Sequence, residues 1–218
     1  MISLTKTYEP EIEYLESDGK PLGETDKHRR LILYFIFALD TFFRRRKDVY
    51  VSGNLMFYYA EGDLGKVISP DVFLVRGVKK GDRRTYKLWE EKQVPNVVIE
   101  ISSRKTKRDD FGKKMKIYAE LGVKEYYIFD PDYPENKPAF NAYQLGSEQY
   151  IPVFIKDGRV FSRELGLELV DTGKTLRLFN PKTKQFLMTP DEESQARQRA
   201  ESELAQLREE IARLKKQS

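Results

Sequence analysis

The chain has 218 residues, with 39 Lys and Arg against 35 Asp and Glu, a formal charge of +4, no cysteine and a single histidine. That inventory excludes disulfides, zinc–thiolate and iron–sulfur centres, thiol nucleophiles and any multi-histidine metal site. A hydrophobic fraction of 39% supports a real core, 34% charged residues cover much of the surface, and so small a net charge argues only weakly for a polyanionic partner.

In chain order, residues 1–23 read as a short arm with some extended structure and no signal-peptide pattern. Asp26 is placed to cap a helix running through His28 to about Arg46. Its body, residues 31–39, is apolar nearly all round, which predicts burial on more than one side. At nine residues it is too short to cross a bilayer core of roughly 30 Å, so a cytoplasmic protein with no membrane partner is the expectation. Arg44, Arg45, Arg46 and Lys47 suit the negative pole of the helix dipole.

Strands follow at 49–51, 55–59 and 71–75, then a polar loop at 76–92, then a strand at 94–102 whose near-continuous apolar run suits a central position covered on both faces. Residues 109–121 read as a helix with Met115, Tyr118, Ala119 and Leu121 on its apolar stripe and Gly122 as its stop. A strand at 126–129 closes on Asp130-Pro131. Residues 150–155 and 159–161 flank Lys156-Asp157-Gly158, a hairpin signal, and 167–170 and 175–179 add two more strands.

The last segment changes character. Thr189-Pro190-Asp191-Glu192 is a capping box, and Ala200, Leu204, Leu207, Ile211 and Leu214 recur in alternating four- and three-residue steps. Residues 189–218 are therefore expected to form a coiled-coil helix, separate from a domain at 1–188. The partner is a second copy or another coiled coil, because so short a helix is marginal alone.

Two acids and a lysine carry the chemistry. Asp71 stands at the head of an apolar run, and Glu100 interrupts Val97-Val98-Ile99-Glu100-Ile101, where an ionised carboxylate costs several kcal/mol unless paired or metal-bound. An antiparallel pairing across the 76–92 loop would bring both acids to one cleft. Magnesium takes near-octahedral oxygen ligands, commonly one or two carboxylates with waters. Asp71, Glu100 and the Ile101 carbonyl match the protein share of such a site for Mg²⁺ or Mn²⁺. Residues 104–108 with Lys113, Lys114 and Lys116 form a basic patch beside Glu100, and residues 79–84 form a second; either can contact phosphates.

At these residues the chain resembles the PD-(D/E)XK restriction-endonuclease-like superfamily and, within it, the Uma-two endonuclease family, formerly a domain of unknown function. The resemblance lies in Ser69-Pro70-Asp71-Val72, in Val97 to Ser103, in Asp110 to Tyr118, and in Gly122-Val123-Lys124-Glu125-Tyr126 running on to Pro131. It implies an α/β core of helix, mixed or antiparallel sheet, helix and strand, here with a β-rich C-terminal extension. It also implies Asp71 and Glu100 as the motif acids. The superfamily's lysine usually stands two residues after the second acid, where this chain has Ser102. The Uma-two family shows the same departure, its lysine lying on the next helix four residues before a tyrosine; Lys114, before Tyr118, fits that slot, with Lys113 its near neighbour. Asp26 and His28 would border the cleft. The implied activity is Mg²⁺-dependent phosphodiester hydrolysis on nucleic acid, DNA first. The rival is a nuclease-like binding or assembly module without turnover.

Overall fold

In a computed structural model, which describes residues 12–17, 25–132 and 139–217, the apolar run 31–39 lies inside helix α1 (Asp26–Phe42). The cap is Thr25 rather than Asp26: its side chain accepts the His28 N–H at 3.3 Å. The helix also ends earlier than expected, so Arg44 to Arg46 lie in the turn beyond it, and Arg46 pairs with Asp48 at 2.8 Å.

The chain continues through β1 (Val49–Ser52), β2 (Phe57–Tyr58), β3 (Val67–Ile68), β4 (Val72–Arg76), β5 (Tyr86–Lys87), α2 (Leu88–Glu91) and β6 (Val97–Ile101). The expected loop at 76–92 thus carries a strand and one helical turn; Tyr86 anchors both by stacking on Phe57 and donating to the Gln93 carbonyl at 2.6 Å. A crossover follows: α3 (Lys107–Asp109), a π-helical turn (Asp110–Lys114) and α4 (Met115–Leu121), closed by Gly122 in the left-handed region at φ 89°. Then come β7 (Glu125–Phe129), β8 (Phe140–Leu145), β9 (Tyr150–Pro152), β10 (Arg159–Ser162), β11 (Leu167–Asp171), β12 (Leu176–Asn180), β13 (Gln185–Phe186) and α5 (Pro190–Gln217). The arm falls largely outside the described residues; its described part, 12–17, is irregular, and the Tyr14 ring packs at a tilt against Trp89.

The main sheet has the order β1-β4-β6-β7-β8-β9, with β6 and β7 parallel and the other neighbours antiparallel. A parallel pair needs a crossover, and the α3–α4 segment supplies it. Strand alternation divides the core. Val72, Leu74, Val97 and Ile99 pack with α1 on one face, whereas Phe73, Val75, Val98, Tyr126 and Ile128 pack with Tyr118 on the other. A second sheet, β10-β11-β12-β13, adds Leu167, Leu169, Leu176 and Leu178 to the α1 side.

The expected hairpin around Asp157-Gly158 is only a turn. Lys156 and Arg159 exchange backbone hydrogen bonds at 3.1 and 2.8 Å, but β9 pairs with β8 in the main sheet and β10 with β11 in the second. The apolar faces of the two strands belong to different layers, so the chain crosses between sheets at the turn.

Glu125 joins the layers. It is buried at the start of β7, on the side facing the second sheet, and its carboxylate accepts the Ser162 hydroxyl, the Arg163 N–H at 2.9 Å and the Tyr127 hydroxyl at 3.1 Å. Removing a buried acceptor leaves its donors unsatisfied. Glu125→Ala is therefore expected to lower unfolding free energy by about 3 kcal/mol, read by urea denaturation. A loss within the error of the measurement would mean the joint is not held there.

Candidate active site

The site is built by register. Val72 lies opposite Ile99 in the β4–β6 pair, so the next position sets Asp71 opposite Glu100, on the face covered by α4. The Asp71 N–H donates to Glu100 Oε2 at 3.3 Å, and Asp71 Oδ2 accepts the Ile101 N–H at 2.7 Å. Gly53 sits against this corner: a Cβ there would stand 2.1 Å from the Asp71 carbonyl oxygen. Only glycine lets the chain after β1 pass so close, and the Asn54 N–H then donates to the Pro70 carbonyl at 2.9 Å.

Glu100 is fully buried. Its Oε1 accepts the Tyr118 hydroxyl at 2.7 Å, and its Oε2 accepts the Lys114 ammonium at 2.7 Å. The strand end is therefore not open to water at this residue. Lys114 Nζ also lies 3.3 Å from Asp110 Oδ1. Both residues belong to the π-helical turn, whose extra residue per turn is a frequent feature of functional sites. Asp110 is buried, and the Tyr126 hydroxyl fixes the turn by donating to its carbonyl at 2.8 Å. The α1 end brings His28, with Nε2 3.4 Å from Asp71 Oδ2.

The structure thus brings Asp71, Glu100, Ile101 and Lys114 together, with His28 at the border. It separates Lys114 from Lys113, which is exposed. Asp26 turns away to an exposed pair with Arg29 at 2.7 Å and does not border the cleft. Three participants were not among the expected site residues: Asp110, Tyr118 and Gly53. The i, i+4, i+8 spacing of Asp110, Lys114 and Tyr118 places them on one helix face and was a usable signal; nothing local marks Gly53.

Burial works to raise the Asp71 carboxyl, but the His28 hydrogen bond, the Lys114 charge and the Ile101 N–H outweigh it and hold it below its usual range. For Glu100 burial wins. Against the pull of Lys114, and with Asp71 and Asp110 adding repulsion, its carboxyl is pushed up to about 8. For Lys114 the balance runs the other way: burial favours the neutral amine, but the charges of Glu100, Asp71 and Asp110 keep it firmly an ammonium.

Asp71 and Glu100 could hold magnesium or manganese in the manner that leaves most positions to water and substrate. Asp71 Oδ1 accepts no hydrogen bond among the described residues, whereas both Glu100 oxygens already accept them, so Glu100 would ligate an ion only once deprotonated. Beside them the Ser102 hydroxyl and Asp110 Oδ2 are buried without hydrogen-bond partners among the described residues, which marks unspent polar capacity, while Asp110 Oδ1 is held in the ion pair with Lys114. Among those residues no group of three or more His, Asp or Glu is arranged to hold an ion, so this is not an all-protein cage.

A helix on each face of a mixed sheet, with two acids at adjacent strand ends, defines a restriction-endonuclease-like core. The chain belongs to the Uma2 family, described as "Putative restriction endonuclease", whose model matches residues 4–175. Four solved chains are similar. One is the crystal structure of "a putative nuclease belonging to DUF820" from Anabaena variabilis, with TM-score 0.50 and 14% identity over 71% of this chain and 86% of that one; at that identity the likeness is one of fold. No curated protein matches. No helix among the described residues is long and apolar enough to cross a membrane.

The raised Glu100 carboxyl has a definite sign. Its neutral form is the one the fold favours, so its contribution to stability is full below pH 4.5 and is lost as pH rises through about 8. Glu100→Gln holds the side chain neutral. Without divalent cations, the stability of Glu100→Gln relative to the parent should grow over that interval and level off above it. A difference independent of pH in urea denaturation would mean Glu100 is a carboxylate throughout.

Proposed function

We propose that the protein is a Mg²⁺- or Mn²⁺-dependent nuclease that hydrolyses phosphodiester bonds, with DNA as the first substrate to test. One observation carries the reading: Asp71 and Glu100, 29 residues apart, meet at one hydrogen-bonded corner with the Lys114 ammonium on Glu100.

Asp71 and Glu100 would hold the ion, with the Ile101 carbonyl at the same strand end. When bound, such a cation lowers the pKa of water and polarises a phosphate oxygen. Asp71 is ready for this as a carboxylate, whereas Glu100 must give up a proton, because ligating carboxylates bind deprotonated. Lys114 has two duties. It offsets the buried charge of Glu100, and its N–H groups can orient an attacking water or stabilise charge on the phosphoryl oxygens. Tyr118 keeps the second Glu100 oxygen occupied and so fixes which oxygen faces the site.

For the nucleic acid, Arg104, Lys105, Arg108 and Lys113 are exposed beside the site and form no ion pair among the described residues. The 79–84 loop is a poorer candidate. Its Lys80 pairs with Asp40, its Arg83 with Glu91, and its Arg84 with Glu16. Those charges already have partners.

Asp71→Ala, Glu100→Ala and Lys114→Met should each reduce Mg²⁺- or Mn²⁺-dependent cleavage by about a hundredfold or more, with Mn²⁺ binding by calorimetry lost in the first two. Cleavage unchanged in Glu100→Ala would remove this site from consideration. Metal-independent DNA binding with no cleavage by the parent would favour the binding-module reading. Changing Arg104, Lys105 and Arg108 to Ala together should weaken DNA binding across sequences and lower the salt slope by roughly one unit for each phosphate no longer neutralised, measured by fluorescence anisotropy. An unchanged slope would place the nucleic acid elsewhere.

A further inference from the structure

Helix α5 leaves the domain with one apolar face uncovered. Its first turn is fixed: the Thr189 hydroxyl accepts the Glu192 N–H at 3.1 Å, the Glu192 carboxylate accepts the Thr189 N–H at 2.8 Å, and Arg177 pairs with Glu192 at 2.8 Å. Beyond Ala196 every side chain through Lys216 is exposed. Leu204, Leu207, Ile211 and Leu214 are each more than half exposed, and they form a single seam with Ala200. A 28-residue helix of this kind, held by one turn, lacks the tertiary packing that usually stabilises helices.

The charges beside the seam say what covers it. The spacing sets Leu204 and Ile211 at a positions and Ala200, Leu207 and Leu214 at d positions. Glu203 and Glu210 then occupy g positions, and Arg208 and Lys215 the e positions that follow them. In a parallel, in-register pair, each g residue meets the e residue five places on in the other helix. Both such pairings, Glu203 with Arg208 and Glu210 with Lys215, join opposite charges, and symmetry makes each twice. An antiparallel pair sets g against g and e against e, which here means glutamate facing glutamate and cation facing cation. None of these four charges is in an ion pair among the described residues. Ile211 at a with Leu207 and Leu214 at d also suits two strands.

We infer that α5 covers this face with the same helix of a second copy, as a parallel, in-register, two-stranded coiled coil. Both helices leave their domains at Pro190, so the two domains hang from the same end of the coil. On the nuclease reading, that sets two sites within reach of one duplex. The dimer itself does not rest on that reading and is tested whether or not the protein cleaves anything.

The test uses the full chain. Light scattering over a wide dilution series should give a dimer, and Leu204→Lys with Ile211→Lys should give a monomer whose domain remains folded by circular dichroism. The chain has no cysteine, so Ala200→Cys is a clean probe. Oxidation should link the parallel dimer, whereas antiparallel helices would hold the two positions about 20 Å apart. A Glu203→Lys/Glu210→Lys chain and an Arg208→Glu/Lys215→Glu chain should each self-associate about a hundredfold more weakly than the parent and recover a heterodimer on mixing. A parent that stays monomeric overturns the inference, whether α5 lies free, folds back or awaits a different protein. So does a dimer that survives Leu204→Lys with Ile211→Lys, a trimer or tetramer, or a dimer that Ala200→Cys fails to link.

Discussion

The arrangement turns on one carboxyl group in an apolar strand. Glu100 is fully buried between Ile99 and Ile101 in β6, and the strand position that buries it also aims it at α4. An uncompensated charge there would cost several kcal/mol, so the neighbours are set by that requirement. Lys114 and Tyr118 take its two oxygens, the Asp71 N–H shares one of them, and Asp110 in turn steadies Lys114. Burial, with Asp71 and Asp110 crowding the same corner, pushes the Glu100 carboxyl up.

The sheet topology converts that local requirement into a site. Antiparallel pairing of β4 with β6 sets Asp71 across from Glu100, while parallel pairing of β6 with β7 forces the chain to cross over the sheet face. That crossover returns Lys114 to the acid it left fourteen residues earlier. A lysine two residues after Glu100 would also have faced this side, because strand side chains alternate. Moving the cation from strand to helix therefore keeps the charge near the acids and leaves Ser102 buried at the vacated position. Asp110 and Lys114 share the corner from within the π-helical turn. On the opposite face Glu125, conspicuous in the Gly-Val-Lys-Glu-Tyr run, does unrelated work by tying the second sheet to the first.

Much of the main sheet was legible because its strands are bounded by turn residues and filled with β-branched side chains, as in Val97 to Ile101. Glu100 could be singled out because it breaks such a run. Lys114 could be chosen over Lys113 only through the family resemblance, since both are lysines on one helix; the fold separates them by burial. The turn at Asp157-Gly158 was also legible, but its strands were assigned to one hairpin when they belong to two sheets. A two-residue turn specifies a chain reversal and says nothing about which layer each arm then joins. Strand β8 went unread because Phe140 to Leu145 mixes Asn141 and Gln144 into a strand whose pairing with β7 and β9 supplies the regularity.

By itself the amino-acid sequence determined the strongest local periodicities: the apolar runs of β4 and β6, where Gly122 stops the crossover helix, and which face of α5 is apolar, because these depend on neighbours within a few residues. Only the tertiary structure decided that Asp71 and Glu100 share a corner, that Tyr118 and Asp110 complete it, and that Gly53 makes room for it. Those interactions join positions far apart along the chain, and their energies depend on burial and register, which exist only once the sheet has assembled.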